Sequence, residues 1–148
     1  MTRVLAVDLG SRRIGLALSD ASRTIASPLS VLERSRSHDD DHAAILAVAR
    51  EHEAGEIVVG LPLSLSGRSG PAARAARAEI DALSVAAGDE LKVVSFDERL
   101  TTVSAERSLR EAGMDKRAQR TVVDKVAAAI LLQAYLDREG YLDREGGR

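Results

Sequence analysis

The chain has 148 residues, 45% hydrophobic and 30% charged, with a net charge of −2, the balance of one globular domain with a single buried core region. It has no cysteine, which excludes disulfides, thiolate nucleophiles and Cys-ligated zinc. Its aromatic residues are Phe96, Tyr135 and Tyr141, too few to stack a run of single-stranded bases.

The opening run Val4 to Val7 is too short to cross a bilayer or to form a leader core, so the expected location is cytoplasmic with no membrane attachment. Residues 3–9 read as a strand, the GSRR turn follows, and Ile14 to Ser19 form a second strand. A short third strand falls within Ser22 to Val31, where Pro28 keeps it from the centre of a sheet. Ser37 to Ala54 read as a helix, with Ser37-x-x-Asp40 as its capping box. Residues 56–61 form a buried strand, and after a loop at 67–71 an Ala-rich helix runs to about Ala87. Leu91 to Phe96 form a further strand, and helices are predicted from Thr102 to Ala112 and from Val122 to Asp137.

Short turns make the first three strands antiparallel, whereas intervening helices make the later ones parallel. The fold class is therefore α/β: a mixed sheet with helices on both faces, in one domain over 1–138. Residues 139–148 hold the second copy of a YLDREG repeat and are expected to form a flexible tail.

The near-neutral total hides blocks. Residues 1–37 hold six basic and three acidic residues, 57–78 hold three basic and none acidic, and 99–120 hold six basic and three acidic. Residues 38–56 and 79–98 are acidic. Segregated blocks of this kind either gather into a phosphate-binding patch or line solvated faces.

Asp8 ends the first apolar run, on the same face as Val4 and Ala6 by alternation. Asp is depleted in strands, so its carboxylate either enters a polar site or caps the DLGS turn. Glu98 follows the strand ending at Phe96, where ligands bind in α/β sheets, or else it forms a surface ion pair. Asp124 shares a helical face with Ala128, Leu131 and Tyr135, or else closes a Thr121-x-x-Asp124 capping box. Three carboxylates gathered in one pocket repel one another, and hard divalent cations with oxygen ligands, Mg²⁺ or Mn²⁺, relieve that repulsion.

The segments AVDLGSRRIGLALSD at 6–20, IVVGLP at 57–62, DERLTT at 97–102 and VDKVAAAILLQAYLD at 123–137 resemble, in order, those of the YqgF/RuvX family. The resemblance covers nearly the whole chain. It implies a ribonuclease-H-like fold, a cytoplasmic location and a nuclease that matures the 5′ end of precursor 16S ribosomal RNA, with some members resembling Holliday-junction resolvases. The family's acidic triad falls on Asp8, Glu98 and Asp124, as catalytic residues and metal ligands. One departure is Ser66, where members often carry an acidic or amide residue before Gly67.

Nucleic acid is the expected partner, either structured precursor rRNA, alone or in pre-ribosomal particles, or branched DNA. Charge and position nominate Arg12, Arg13, Arg68, Arg99, Lys116, Arg117 and Arg120 as phosphate contacts. Monomer and homodimer are both left open. Two other readings compete: an actin-like phosphotransferase, for which the chain is short, and a non-catalytic ribosome-assembly module on the same fold. The pair His38 and His42 has helical metal spacing, but an acidic first helical turn explains the same residues.

Overall fold

The computed structural model describes residues 2–62, 70–100 and 116–145, with side chains described except at Leu100, 116–123 and 141–145. Among these residues five strands, β1 (Arg3–Leu9), β2 (Arg13–Ser19), β3 (Ala26–Glu33), β4 (Ala54–Leu61) and β5 (Lys92–Asp97), form one sheet in the order β3-β2-β1-β4-β5. The pairs β1–β2 and β2–β3 are antiparallel, and β1–β4 and β4–β5 are parallel. Among the described residues three α-helices accompany the sheet: α1 (His38–Glu51), α2 (Pro71–Ala87) and α3 (Lys116–Glu145). This is the mixed architecture expected from the connection lengths.

Val4 to Val7 are fully buried because β1 is central and both its faces are covered. Alternation divides its side chains between two cores. Leu5 and Val7, with Leu16, Ile57 and Val59, pack against Ile45 and Ala49 of α1 and Ala73, Ile80 and Leu83 of α2. Val4 and Ala6, with Ala17, Val58 and Phe96, pack against Ala128, Leu131, Leu132 and Tyr135 of α3. A one-residue slip of β1 would exchange these two sets, so the register is strongly fixed.

Ser37 caps α1 as predicted, its hydroxyl accepting from the Asp40 N–H at 3.2 Å. The third strand begins within Ser22 to Val31, as expected, and runs two residues past it to Glu33. It is an edge strand, and its register with β2 shifts where Ala17 faces Pro28 and Leu16 faces Ser30. An edge and a bulge are two of the places where proline is tolerated in a sheet.

The predicted helix from Val122 to Asp137 begins at Lys116 and continues to Glu145, through Gly140 and most of the second YLDREG copy. Leu, Arg and Glu are strong helix formers and outweigh the cost of one glycine, about 1 kcal/mol. The predicted helix from Thr102 to Ala112 lies outside the described residues.

Two polar networks are buried beside these cores. Arg34, just after β3, forms a bidentate pair with Glu79 of α2, both bonds at 2.7 Å, and reaches Asp41 of α1 at 3.4 Å. The same arginine holds the β1–β2 turn: its Nε donates to the Gly10 carbonyl at 3.0 Å and its backbone N–H to the Arg12 carbonyl at 2.8 Å. His42 is buried with Nε2 2.9 Å from Glu79, while His38 is largely exposed. Across the sheet, the Tyr135 phenol donates to the buried Glu56 carboxylate, which also pairs with Arg23 at 3.2 Å.

Candidate metal and nucleic-acid site

Asp8 lies on the α3 face of β1, one alternation step beyond Ala6, and is 7% exposed. It stands near the carboxyl ends of the parallel strands β1 and β4, the edge where open α/β sheets bind ligands. The other two carboxylates reach this edge because of two glycines.

On the β2 side, Asp8 pairs directly with Gly15. A Cβ on Gly15 would stand 2.1 Å from the Asp124 carbonyl oxygen and 2.7 Å from its carbon. Only a hydrogen at this position lets the α3 backbone settle on β2. On the β4 side, Val7 pairs with Val59, so Gly60 is level with Asp8. A Cβ on Gly60 would meet the Glu98 Oε1 at 2.6 Å and its Cγ at 3.1 Å. The Glu98 side chain therefore lies over Gly60, at the start of the short 3₁₀ turn Glu98–Leu100 that follows β5. Asp8 thus has a glycine on either side, one beneath the Asp124 backbone and the other beneath the Glu98 carboxyl.

The Asp124 carboxylate accepts from Arg13 Nε at 2.7 Å, with both side chains about one-fifth exposed. This bond spans 111 residues and ties α3 to the start of β2. Asp124 stands in the third turn of a helix that begins at Lys116, so it is not the helix-capping residue that Thr121-x-x-Asp124 would have made it. Among the described residues, no three His, Asp or Glu side chains stand close enough together, as they lie, to hold a metal ion. The donor chemistry nonetheless fits a hard cation: carboxylate oxygens on one face, one of them mostly buried, with a guanidinium already drawn to another.

The basic candidates divide. Arg12 is exposed on the β1–β2 turn, three residues past the end of β1. Arg13 is engaged with Asp124. Arg99 binds Asp97 through Nε and Nη2, the latter at 2.6 Å, and its bonds hold the Asp97 carboxyl below the usual carboxylate range. Lys116, Arg117 and Arg120 occupy the first turns of α3, and their side chains lie outside the described set. Arg68 and the Ser66 departure also lie outside the described residues.

Three features were missed by reading the sequence. Gly15 and Gly60 carry no local signal that a helix backbone or a carboxylate packs on them, because both needs are tertiary. Arg34 and Glu79 are 45 residues apart with no motif between them. The acidic and histidine residues of α1 form a visible cluster in the sequence, but the reason for burying His42 lies in Glu79 of another helix.

A sheet of this order, antiparallel then parallel, with helices on both faces and acidic residues at its carboxyl edge, defines a ribonuclease-H-like fold. Thermus thermophilus RuvC, solved in complex with a Holliday junction substrate, matches with a TM-score of 0.60 and 21% identity, over 95% of this chain and 97% of its own. A second Thermus thermophilus RuvC structure matches with a TM-score of 0.51 and 16% identity, over 93% and 96%. These likenesses are of fold. The model of the family described as "RuvX: Holliday junction resolvase" matches residues 2–138, and the chain belongs to that family. Curated relatives include proteins named "Putative pre-16S rRNA nuclease" from Kineococcus radiotolerans, 51% identical over 91% of this chain and 71% of the relative, and from an Anaeromyxobacter species, 50% identical over 91% and 96%.

Proposed function

We propose that this chain is a metal-dependent nuclease that hydrolyses phosphodiester bonds, with the 5′ end of precursor 16S ribosomal RNA as its cytoplasmic substrate. The observation that carries this reading is the placing of Asp8 between Gly15 and Gly60, which lets Asp124 and Glu98 approach the same strand end. The relatives' shared name supports the RNA substrate.

Asp8, Glu98 and Asp124 would hold Mg²⁺ or Mn²⁺. A bound ion of this kind supplies positive charge for the phosphoryl oxygens and lowers the pKa of a water nucleophile. The protein's own part is placement. β1 and α3 fix Asp8 and Asp124 on rigid elements, and burial of Asp8 limits competition from bulk water. Arg12 and Arg99, with Arg13, Arg68, Lys116, Arg117 and Arg120, would position the phosphate backbone without reading its sequence.

The test is cleavage by the purified chain with Mg²⁺ or Mn²⁺, offered a structured RNA carrying a 5′ extension and, separately, a four-way DNA junction. Removal of the extension, lost on chelation and in Asp8→Asn, supports the reading. Cutting of the junction alone supports the second reading, a resolvase, which the description of the matching family favours. Tight binding without any cleavage would instead assign a ribosome-assembly module.

A further inference from the structure

A cavity of about 410 Å³ opens on the opposite face of the sheet from the carboxylates, at the same carboxyl edge. Its walls include Gly10 of the β1–β2 turn, Arg34 and Arg36 after β3, and Ala72, Ala75 and Glu79 of α2. Gly10 lies two residues past Asp8, and Pro62, which also lines it, lies two past Gly60. The cavity is therefore reached from the carboxylate site by passing over the β1–β2 turn.

Its chemistry is that of a nucleotide subsite. The volume falls within the range of small-ligand pockets. The α2 wall is formed by alanine side chains, smooth and apolar, suited to the face of a base or a ribose. Among the described lining residues the one carboxylate, Glu79, is neutralised by its bidentate bond to Arg34. Among the described wall residues that leaves Arg36, which is exposed, as a charge presented to a ligand. A paired base stays stacked in its helix, whereas an unpaired nucleotide can turn out into a concave site.

We infer that this cavity binds one unpaired nucleotide of an RNA strand flanking the bond to be cut, with Arg36 on its phosphate and the Ala72–Ala75 wall against its base. The inference rests on the nuclease reading for its biological setting, but binding alone tests it. Substrates with a single-stranded extension would then be held more tightly than fully paired ones.

The test is fluorescence anisotropy in buffer with Ca²⁺, using two labelled RNA hairpins, one blunt and one with a three-nucleotide single-stranded extension. Arg36→Ala should weaken binding of the extended hairpin about tenfold, the worth of one hydrogen bond to a charged group. Ala75→Glu should weaken it as well, by setting bulk and negative charge against the nucleotide, and both should leave the blunt one unchanged. Arg36→Ala should also reduce the slope of log affinity against log salt by about 0.7, one single-strand phosphate contact. Ser84→Glu, an exposed change of equal charge on α2 away from the cavity, should bind both as the parent does. Ala75 is exposed on a helix and glutamate is a good helix former, so folding is retained. Equal affinities in all variants, or equal losses for both hairpins, would overturn the subsite while leaving the nuclease reading intact. Unchanged cleavage in Asp8→Asn alongside the expected binding losses would overturn the catalytic roles and keep the subsite.

Discussion

Arg13 and Asp124, 111 residues apart, meet at 2.7 Å where β2 begins and α3 crosses it. The contact joins a candidate phosphate-binding arginine to a candidate metal-ligating carboxylate, so each holds the other from its proposed partner. If Asp124 ligates metal as proposed, an incoming divalent cation must compete with the guanidinium for its oxygens. In Arg13→Gln that competition is gone. Mn²⁺ affinity, measured by titration calorimetry, should rise about fivefold, the equivalent of ~1 kcal/mol for a partly exposed ion pair. A weaker or unchanged affinity would mean that Arg13 does not compete for this carboxylate.

The two glycines beside Asp8 should respond differently to the same substitution. In Gly15→Ala the new methyl meets helix backbone, which cannot move without lifting α3 from the sheet. Overpacking of this kind costs about 3 kcal/mol and should lower Tm by about 10 °C. In Gly60→Ala the methyl meets the end of the flexible Glu98 side chain, which can swing aside. Stability should change by no more than about 1 kcal/mol, while displacement of Glu98 should reduce cleavage about a hundredfold. Thermal melts and single-turnover cleavage on both variants separate the two effects, and full activity in Gly60→Ala would remove Glu98 from the mechanism.

The Arg34–Glu79–Asp41 network predicts how stability depends on pH. Burial pushes Glu79 up, but the bonds from Arg34 and His42 outweigh it and hold the carboxyl below its ordinary value of 4.5. Asp41 is likewise pushed up by burial, and bonds from Ser35 and Arg34 bring it below its ordinary value of 3.8. Both groups are more acidic folded than unfolded, so their stabilisation is complete above the ordinary values. It is lost as pH falls below them, through the lowered folded values. Urea midpoints should therefore fall steeply below about pH 4.5. Glu79→Gln should cost about 3 kcal/mol at pH 7, because the partly buried Arg34 loses its bidentate partner, and should flatten the acid limb. An unchanged acid limb in that variant would contradict the assignment.

Tyr135 links the α3 core to Glu56 at the far end of β4. Burial first, then its bonds to carboxylates, raises the phenol above its ordinary value of 10.0, so it remains a donor. Tyr135→Phe keeps the edge-to-face contact with Phe96 but leaves Glu56 without its buried donor. The expected cost is about 2 kcal/mol by chemical denaturation. A neutral result would show that Arg23 alone satisfies Glu56.

Much of the fold was legible because it follows local rules. Alternation in β1 placed Val4, Ala6 and Asp8 on one face, and α3 covers that face. Helical periodicity placed Asp124 with Ala128, Leu131 and Tyr135, and those three are buried together on it. Connection lengths set the strand directions. Boundaries were less legible: α3 starts six residues before Val122, because its early polar turns carry no apolar period. The approach of Glu98 and Asp124 to Asp8 depends on hydrogens at Gly15 and Gly60, and no spacing in the sequence announces a clash that is avoided. The Arg13–Asp124 pair was also invisible, since each residue had a sufficient local explanation.

The most direct measurement is anomalous diffraction from crystals soaked in Mn²⁺. A peak within ligating distance of Asp8 and at least one of Glu98 and Asp124, with Arg13 turned away from Asp124 when that carboxylate takes part, is the predicted result. Ordered manganese only elsewhere on the surface, with Arg13 still bound to Asp124, would contradict the account.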